Sequence, residues 1–143
     1  MREALALARE AERHSEVPVG AVLVRDGQIV GRGYNRPITS SDPTAHAEIL
    51  ALREGAAAIG NYRLENCALY STLEPCVMCA GALVHARVRR LVFGARDLRF
   101  GGVRAKFRIA DSELLNHQLE IVEGVLAGEC LSLLKEFFAA RRD

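Results

Sequence analysis

Apolar positions along the chain change period several times, and each change marks an element. Ala4, Leu5, Leu7, Ala8 and Ala11 fall mostly on one side of residues 2–14, an amphipathic helix. The run VPVGAVLVRDGQIVGRGY then switches to two β-rich segments about Asp26-Gly27, a strong hairpin signal. Residues 35–43 hold two prolines with serine and threonine and read as a loop. Asp42 followed by Pro43 supplies a capping side chain and a preset first-turn φ, so a helix is expected to start there. Its apolar line is Ala45, Ile49, Leu52, Ala56 and Ile59, with Gly60-Asn61 to stop it.

CALYSTL, residues 67–73, reads as a buried strand, and Pro75 opens a helix running to about His85. RRLVFGA (89–95) is a further strand; a basic stretch follows, then a short helix near 111–116. HQLEIVEG gives the fifth strand, and Leu126, Cys130, Leu133, Leu134 and Phe137 make a last amphipathic helix over about 126–142. The order α-β-β-α-β-α-β-(α)-β-α predicts an α/β fold: one mixed sheet of five strands, a hairpin at one edge, helices on its faces. No repeat, linker or low-complexity tract divides the chain, so 1–143 is expected to form a single domain.

With half the residues hydrophobic and 26% charged, the composition is globular. A net charge of +1 gives no global pull towards nucleic acid or membrane, so any polyanion partner must be met by a local patch. No apolar run approaches the roughly 20 residues of a membrane span, and the charged N-terminus MREALALAREAERHSE does not resemble a signal peptide. Four cysteines in such a chain point to metal or redox chemistry in a reducing cytoplasm.

Cys76 and Cys79 are three apart at a helix start, hence on one face, where backbone N–H groups and the helix dipole favour thiolates. Two thiolates do not complete a zinc site; His46, at the start of the preceding helix, is the best third ligand. Three protein ligands with one open position is the catalytic pattern. Glu48, two residues on, lies about 200° round an ideal helix from His46, which leaves it free to reach water or substrate. Two thiolates and a neutral imidazole cancel the charge of Zn²⁺, so a base beside the activated water compensates. Alone, Cys-x-x-Cys also fits a dithiol redox pair or a structural zinc site, and a zinc-stabilised RNA-binding module without catalysis remains a further alternative.

The combination of His-x-Glu with Pro-Cys-x-x-Cys about thirty residues later resembles the zinc-dependent cytidine/deoxycytidylate deaminase superfamily. Within it the chain is similar to the bacterial tRNA adenosine deaminases through EVPVGAVLV, GYNRPI, DPTAHAEI, NYRL, TLEPCVMCAGALVHAR, VFGARD and GECLSLLKEFFAARR. The resemblance implies a three-layer α/β/α cytidine-deaminase-like fold and one Zn²⁺ per subunit on His46, Cys76 and Cys79. It implies hydrolytic deamination of a wobble adenosine to inosine, zinc-activated hydroxide attacking C6 with Glu48 as proton shuttle. It further implies a homodimer acting on a tRNA anticodon loop, with Asn35 of the Tyr34-Asn35-Arg36-Pro37 loop at the flipped nucleoside, Arg36 among the substrate- or RNA-binding residues and Asp97 near the target's ribose or backbone. A free-base or nucleotide deaminase of guanine or cytosine type is the alternative with the same zinc site.

Five basic residues (Arg96, Arg99, Arg104, Lys106, Arg108) against one acid, Asp97, lie between 96 and 108, interleaved with Phe100 and Phe107. Such a mixture neutralises phosphates and stacks splayed bases. Phe137 and Phe138 beside Arg141 and Arg142 repeat it at the C-terminus; Arg99, Phe137 and Arg141 are therefore expected RNA contacts. After FGARD the chain departs from the family's Lys-Thr-Gly-Ala-like loop, with Arg99 in place of the usual lysine. Glu74 is expected to support the cysteine-bearing loop by hydrogen bonding, and Cys67 and Cys130 to be core residues.

Overall fold

The computed structural model describes residues 1–142. Its elements follow the chain as α1 (Arg2–Arg13), β1 (Gly20–Arg25), β2 (Gln28–Tyr34), α2 (Ala47–Ile59), β3 (Cys67–Leu73), α3 (Val77–His85), β4 (Arg90–Ala95), β5 (Glu120–Glu123) and α4 (Ala127–Ala139). The sheet has the order β2-β1-β3-β4-β5. β1 runs antiparallel to β2 and β3, while β3–β4 and β4–β5 are parallel. The hairpin turns at Asp26-Gly27, both at positive φ (51° and 75°), which matches the twist of the flanking strands. α2 and α3 cover one face, with Leu52 and Leu83 packed in a core with Leu23, Leu69, Leu91 and Phe93; α1 and α4 cover the other, with Leu5, Ala8, Cys130 and Leu133 packed against Leu73 and Ala95. Cys67 and Cys130 are buried in these two cores, as expected. Among the described residues no helix is long and apolar enough to cross a membrane.

Three expectations shift locally, each for an identifiable physical reason. Asp42 does not begin α2: its Oδ1 accepts the Thr44 N–H and hydroxyl, each at 2.8 Å, closing a turn, and the helix starts only at Ala47 with His46 as N-cap. The buried face of α2 is Ala47, Glu48, Ala51, Leu52 and Gly55; of the expected line Ala45 and Leu52 are buried, while Ile49, Ala56 and Ile59 are only half-buried at its edge. Small residues win because α2 lies directly on the backbone of β2. A Cβ on Gly33 would sit 2.2 Å from the Ala47 carbonyl oxygen, and one on Gly31 2.2 Å from that of Ala51. This contact fixes the N-terminus of α2, and with it His46 and Glu48, against the end of the hairpin.

The short helix expected near 111–116 is absent; the segment is a series of turns. Leu114 is 95% exposed, so no buried apolar face offsets the cost of nucleating one turn. Its carbonyls are used otherwise: the Gln118 side-chain amide donates to those of Ser112 and Leu115.

Candidate active site

The two ligand-bearing segments meet because β3 leads into α3 beside the N-terminus of α2. His46 caps α2 in an extended conformation (φ −77°, ψ 151°), Cys76 caps α3, and Cys79 lies in its first turn. His46 Nδ1 is 3.6 Å from Cys76 Sγ and 3.5 Å from Cys79 Sγ, and the three ligand atoms lie within 4.8 Å of one another. A tetrahedral zinc with ordinary Zn–N and Zn–S lengths separates its nitrogen and sulfur ligands by about 3.6 Å. The donor set and spacing therefore fit that ion. Cys76 and Cys79 both sit at the N-terminus of α3, whose positive end favours thiolates there.

Without a cation the cluster shares protons. A hydrogen bond from Cys79 holds the Cys76 thiol down at about 4, whereas that same contact and burial push Cys79 far up. The hydrogen bond to Cys76 raises His46. A dication replaces those protons by ligating both sulfurs.

Glu48 is 4% exposed; burial pushes its carboxyl up to about 7. The carboxyl faces Cys79 and feels the charges of His46 and Cys76. This differs from the expected placement across the helix. His46 is the cap and has extended backbone, so the 100°-per-residue rule does not run from it to Glu48. Both side chains come to the same buried corner, and the carboxyl lies outside the three-atom ligand cluster.

Two loops flank the cluster, each wrapped round a buried carboxylate. Glu16, 1% exposed, accepts the backbone N–H groups of Ile38 and Thr39 (3.4 and 2.7 Å) and so shapes the loop holding Asn35 and Arg36. Sequence reasoning missed Glu16, which looks like one more charge after an amphipathic helix. Arg36 N–H donates to the Ala45 carbonyl at 3.0 Å, tying this loop to the residue before His46. Its guanidinium lies over the Tyr34 ring, 5.4 Å from the centroid, and His14 stacks on that ring at 5.8 Å. The Asn35 amide makes no side-chain hydrogen bond among the described residues. On the other side Glu74 reaches beyond the cysteine-bearing turn, accepting N–H groups from Asp97, Val103, Arg104 and Ala105.

The expected RNA contacts divide. Arg99, Phe100, Lys106, Phe107 and Arg108 are exposed. Asp97 turns into its own loop, its Oδ1 accepting the N–H groups of Arg99 and Phe100. Arg104 is mostly buried, paired with both oxygens of Asp111 at 3.0 Å, so it braces the fold and is not free for phosphate. Phe137 is a correction: 4% exposed, it belongs to the buried face of α4 and has no ring face to offer a base. Arg141 lies on that ring, its guanidinium carbon 3.5 Å from the centroid, and donates to the Phe137 carbonyl. Phe138, 46% exposed, is the accessible aromatic there.

Comparison with known proteins agrees with this geometry. The family of the cytidine and deoxycytidylate deaminase zinc-binding region matches residues 1–95, which contain every member of the cluster. The tRNA-specific adenosine deaminase of Haemophilus influenzae is 56% identical, the match covering 100% of this chain and 83% of that protein. A solved structure from studies of A-to-I editing by tRNA:A34 deaminases at the wobble position of transfer RNA superposes with a TM-score of 0.91 at 42% identity, over 94% of this chain and 97% of the other. A guanine deaminase from Nitrosomonas europaea has the same fold at 28% identity and a TM-score of 0.84, over 96% and 82%. A zinc-shaped cluster beside a buried carboxyl, in a chain matched along its length by adenosine deaminases and only more distantly by a free-base enzyme, has one assignment: the chain belongs to the tRNA-specific adenosine deaminases of the cytidine and deoxycytidylate deaminase zinc-binding family.

Proposed function

We propose that this chain deaminates the wobble adenosine of a tRNA anticodon to inosine by hydrolysis. The observation that carries the reading is the His46, Cys76 and Cys79 cluster with Glu48 buried beside it, in a chain 56% identical to a tRNA-specific adenosine deaminase. His46, Cys76 and Cys79 would hold zinc, which would supply Lewis acidity towards water for attack on carbon. Glu48 carries the protons: it takes one from the water and delivers it to adenine N1, then takes the remaining proton from the new C6 hydroxyl and passes it to the amino nitrogen, which leaves as ammonia as the C6–N bond breaks. Its burial keeps bulk water from competing for that proton. The target base must leave its stack to reach the cluster, and the free amide of Asn35 holds the flipped nucleoside.

Phosphates of the anticodon loop are met by Arg36, Arg99 and, at the C-terminus, Arg141, with Lys106 joining them from the same exposed loop as Arg99. Asp97 serves this contact by folding that loop. The reading includes a homodimer of single-domain subunits, supported by the exposed Phe107 and Leu114 side chains. A reducing, cytoplasmic setting is supported by four cysteines that are all free.

Ammonia release from an anticodon stem-loop, set against free adenosine, guanine and cytosine, tests the substrate class. The stem-loop is expected to turn over fastest; faster turnover of a free base ends the tRNA reading. Reversing Arg99 and Lys106 to Glu is expected to raise KM for the stem-loop about tenfold or more and to lessen the log–log salt slope by about one per lost phosphate contact. An unmoved KM with the wild-type salt slope would make that stretch a solvated face only.

A further inference from the structure

Glu74 is 1% exposed and forms no ion pair with a cationic side chain among the described residues. A lone buried carboxylate is costly unless hydrogen bonds replace its water. Here backbone does so: Oε1 accepts the Asp97 N–H at 3.1 Å, and Oε2 accepts those of Val103, Arg104 and Ala105 at 3.1, 2.7 and 3.0 Å. Three N–H groups converging on one oxygen form a backbone nest closed round an anion that the protein itself supplies. The fit leaves no slack, since a Cβ on Gly101 would lie 2.3 Å from that same Oε2.

The nest belongs to the loop that presents Arg99, Phe100 and Lys106 to solvent. The zinc-binding turn has its own supports: Ala80 N–H donates to the Cys76 carbonyl within α3, and Glu74 N–H to the Ala95 carbonyl across the sheet. Loop and turn touch through the Gly102 N–H on the Pro75 carbonyl and the bridge between Cys76 and Gly101. The Glu74 side chain thus makes its hydrogen bonds to the loop and none to the backbone of the ligand-bearing turn.

We infer that Glu74 is a positioning residue for RNA: its carboxylate sets the shape of the 97–105 loop and so determines how tightly substrate is held, without acting on the chemical step. This rests on the proposed tRNA function. Contacts made alike in the bound and transition states act on KM and leave kcat alone.

The test uses zinc-loaded full-length protein, an anticodon stem-loop and the variants Glu74→Gln, Glu74→Ala and Gly101→Ala. Gly101→Ala keeps the carboxylate but pushes the loop off it. The expected result is a KM about tenfold or more above wild type for Glu74→Ala, with kcat within about twofold and zinc content unchanged. Glu74→Gln, which keeps one acceptor oxygen for three of the four donors, falls between, and Gly101→Ala gives the same split. Amide exchange at Val103, Arg104 and Ala105 speeds up about tenfold or more in Glu74→Ala while α3 keeps its protection. Should Glu74→Ala fail to fold, the other two variants carry the same expectation. An unchanged KM in Glu74→Gln and Gly101→Ala overturns the inference, as does a loss confined to kcat or to zinc. If wild type ignores the stem-loop, the proposed function fails on its own account; amide protection left unchanged in the variants would then sink the positioning role separately.

Discussion

Glu48→Ala is expected to lower inosine formation by about 10²–10⁴-fold, the usual contribution of a placed general acid–base group, while zinc stays at the wild-type content. The reasoning is geometric. The three atoms that fit the ion are one imidazole nitrogen and two sulfurs, and the Glu48 carboxyl lies beside them in the same buried corner. Removing it leaves the ligand set whole but gives the reacting water no partner for its proton. Glu48→Gln is the sharper form, since it keeps shape and volume and removes only proton transfer. Metal analysis and single-turnover deamination decide the matter together. A variant that loses zinc with its activity would show Glu48 to be a ligand, and one that stays active would place the shuttle elsewhere.

Cys79→Ala is expected to abolish both zinc and turnover, and to lower the melting temperature of the protein. Cys79 is fully buried, so nothing from solvent can replace its sulfur. Two remaining ligands hold the ion too weakly to stay loaded. Ligand that binds only the folded state stabilises by about 4 kcal/mol at a thousand times its Kd, and that contribution disappears with the site. Chelation of the wild type should copy the effect, zinc should reverse it, and reloading should release protons because thiols ligate as thiolates. Cys67→Ala and Cys130→Ala are the controls: both thiols lie in core clusters away from the ligands, so both variants should keep wild-type zinc. Zinc retained at full content by Cys79→Ala would contradict the assignment, and a reversible Cys76–Cys79 disulfide in metal-free wild type would favour redox chemistry.

Arg104 illustrates why charge density in a sequence does not locate a binding surface. It shares a basic stretch with Arg99 and Lys106, yet its guanidinium is committed to Asp111, seven residues on. Phe137 and Phe138 are adjacent in the chain, and helix rotation buries one ring and exposes the other. In both cases the residue type was legible and its partner was not.

By itself the sequence determined whatever depends on neighbours within a few residues. Period-two and period-3.6 patterns mark the hairpin, β3, β4 and α4. The His-x-Glu and Pro-Cys-x-x-Cys spacings mark the ligands and the base, because each pair sits at one helix start. Tertiary structure decided the rest. Glycines in β2 let α2 lie on bare backbone, which chose its buried face and moved its first residue to Ala47. That contact also brought Glu48 to the same corner as His46. Glu16 and Glu74 became loop anchors only because N–H groups more than twenty residues away close on them. A carboxylate buried by distant backbone leaves no local periodicity, so such partners are settled only when the chain folds.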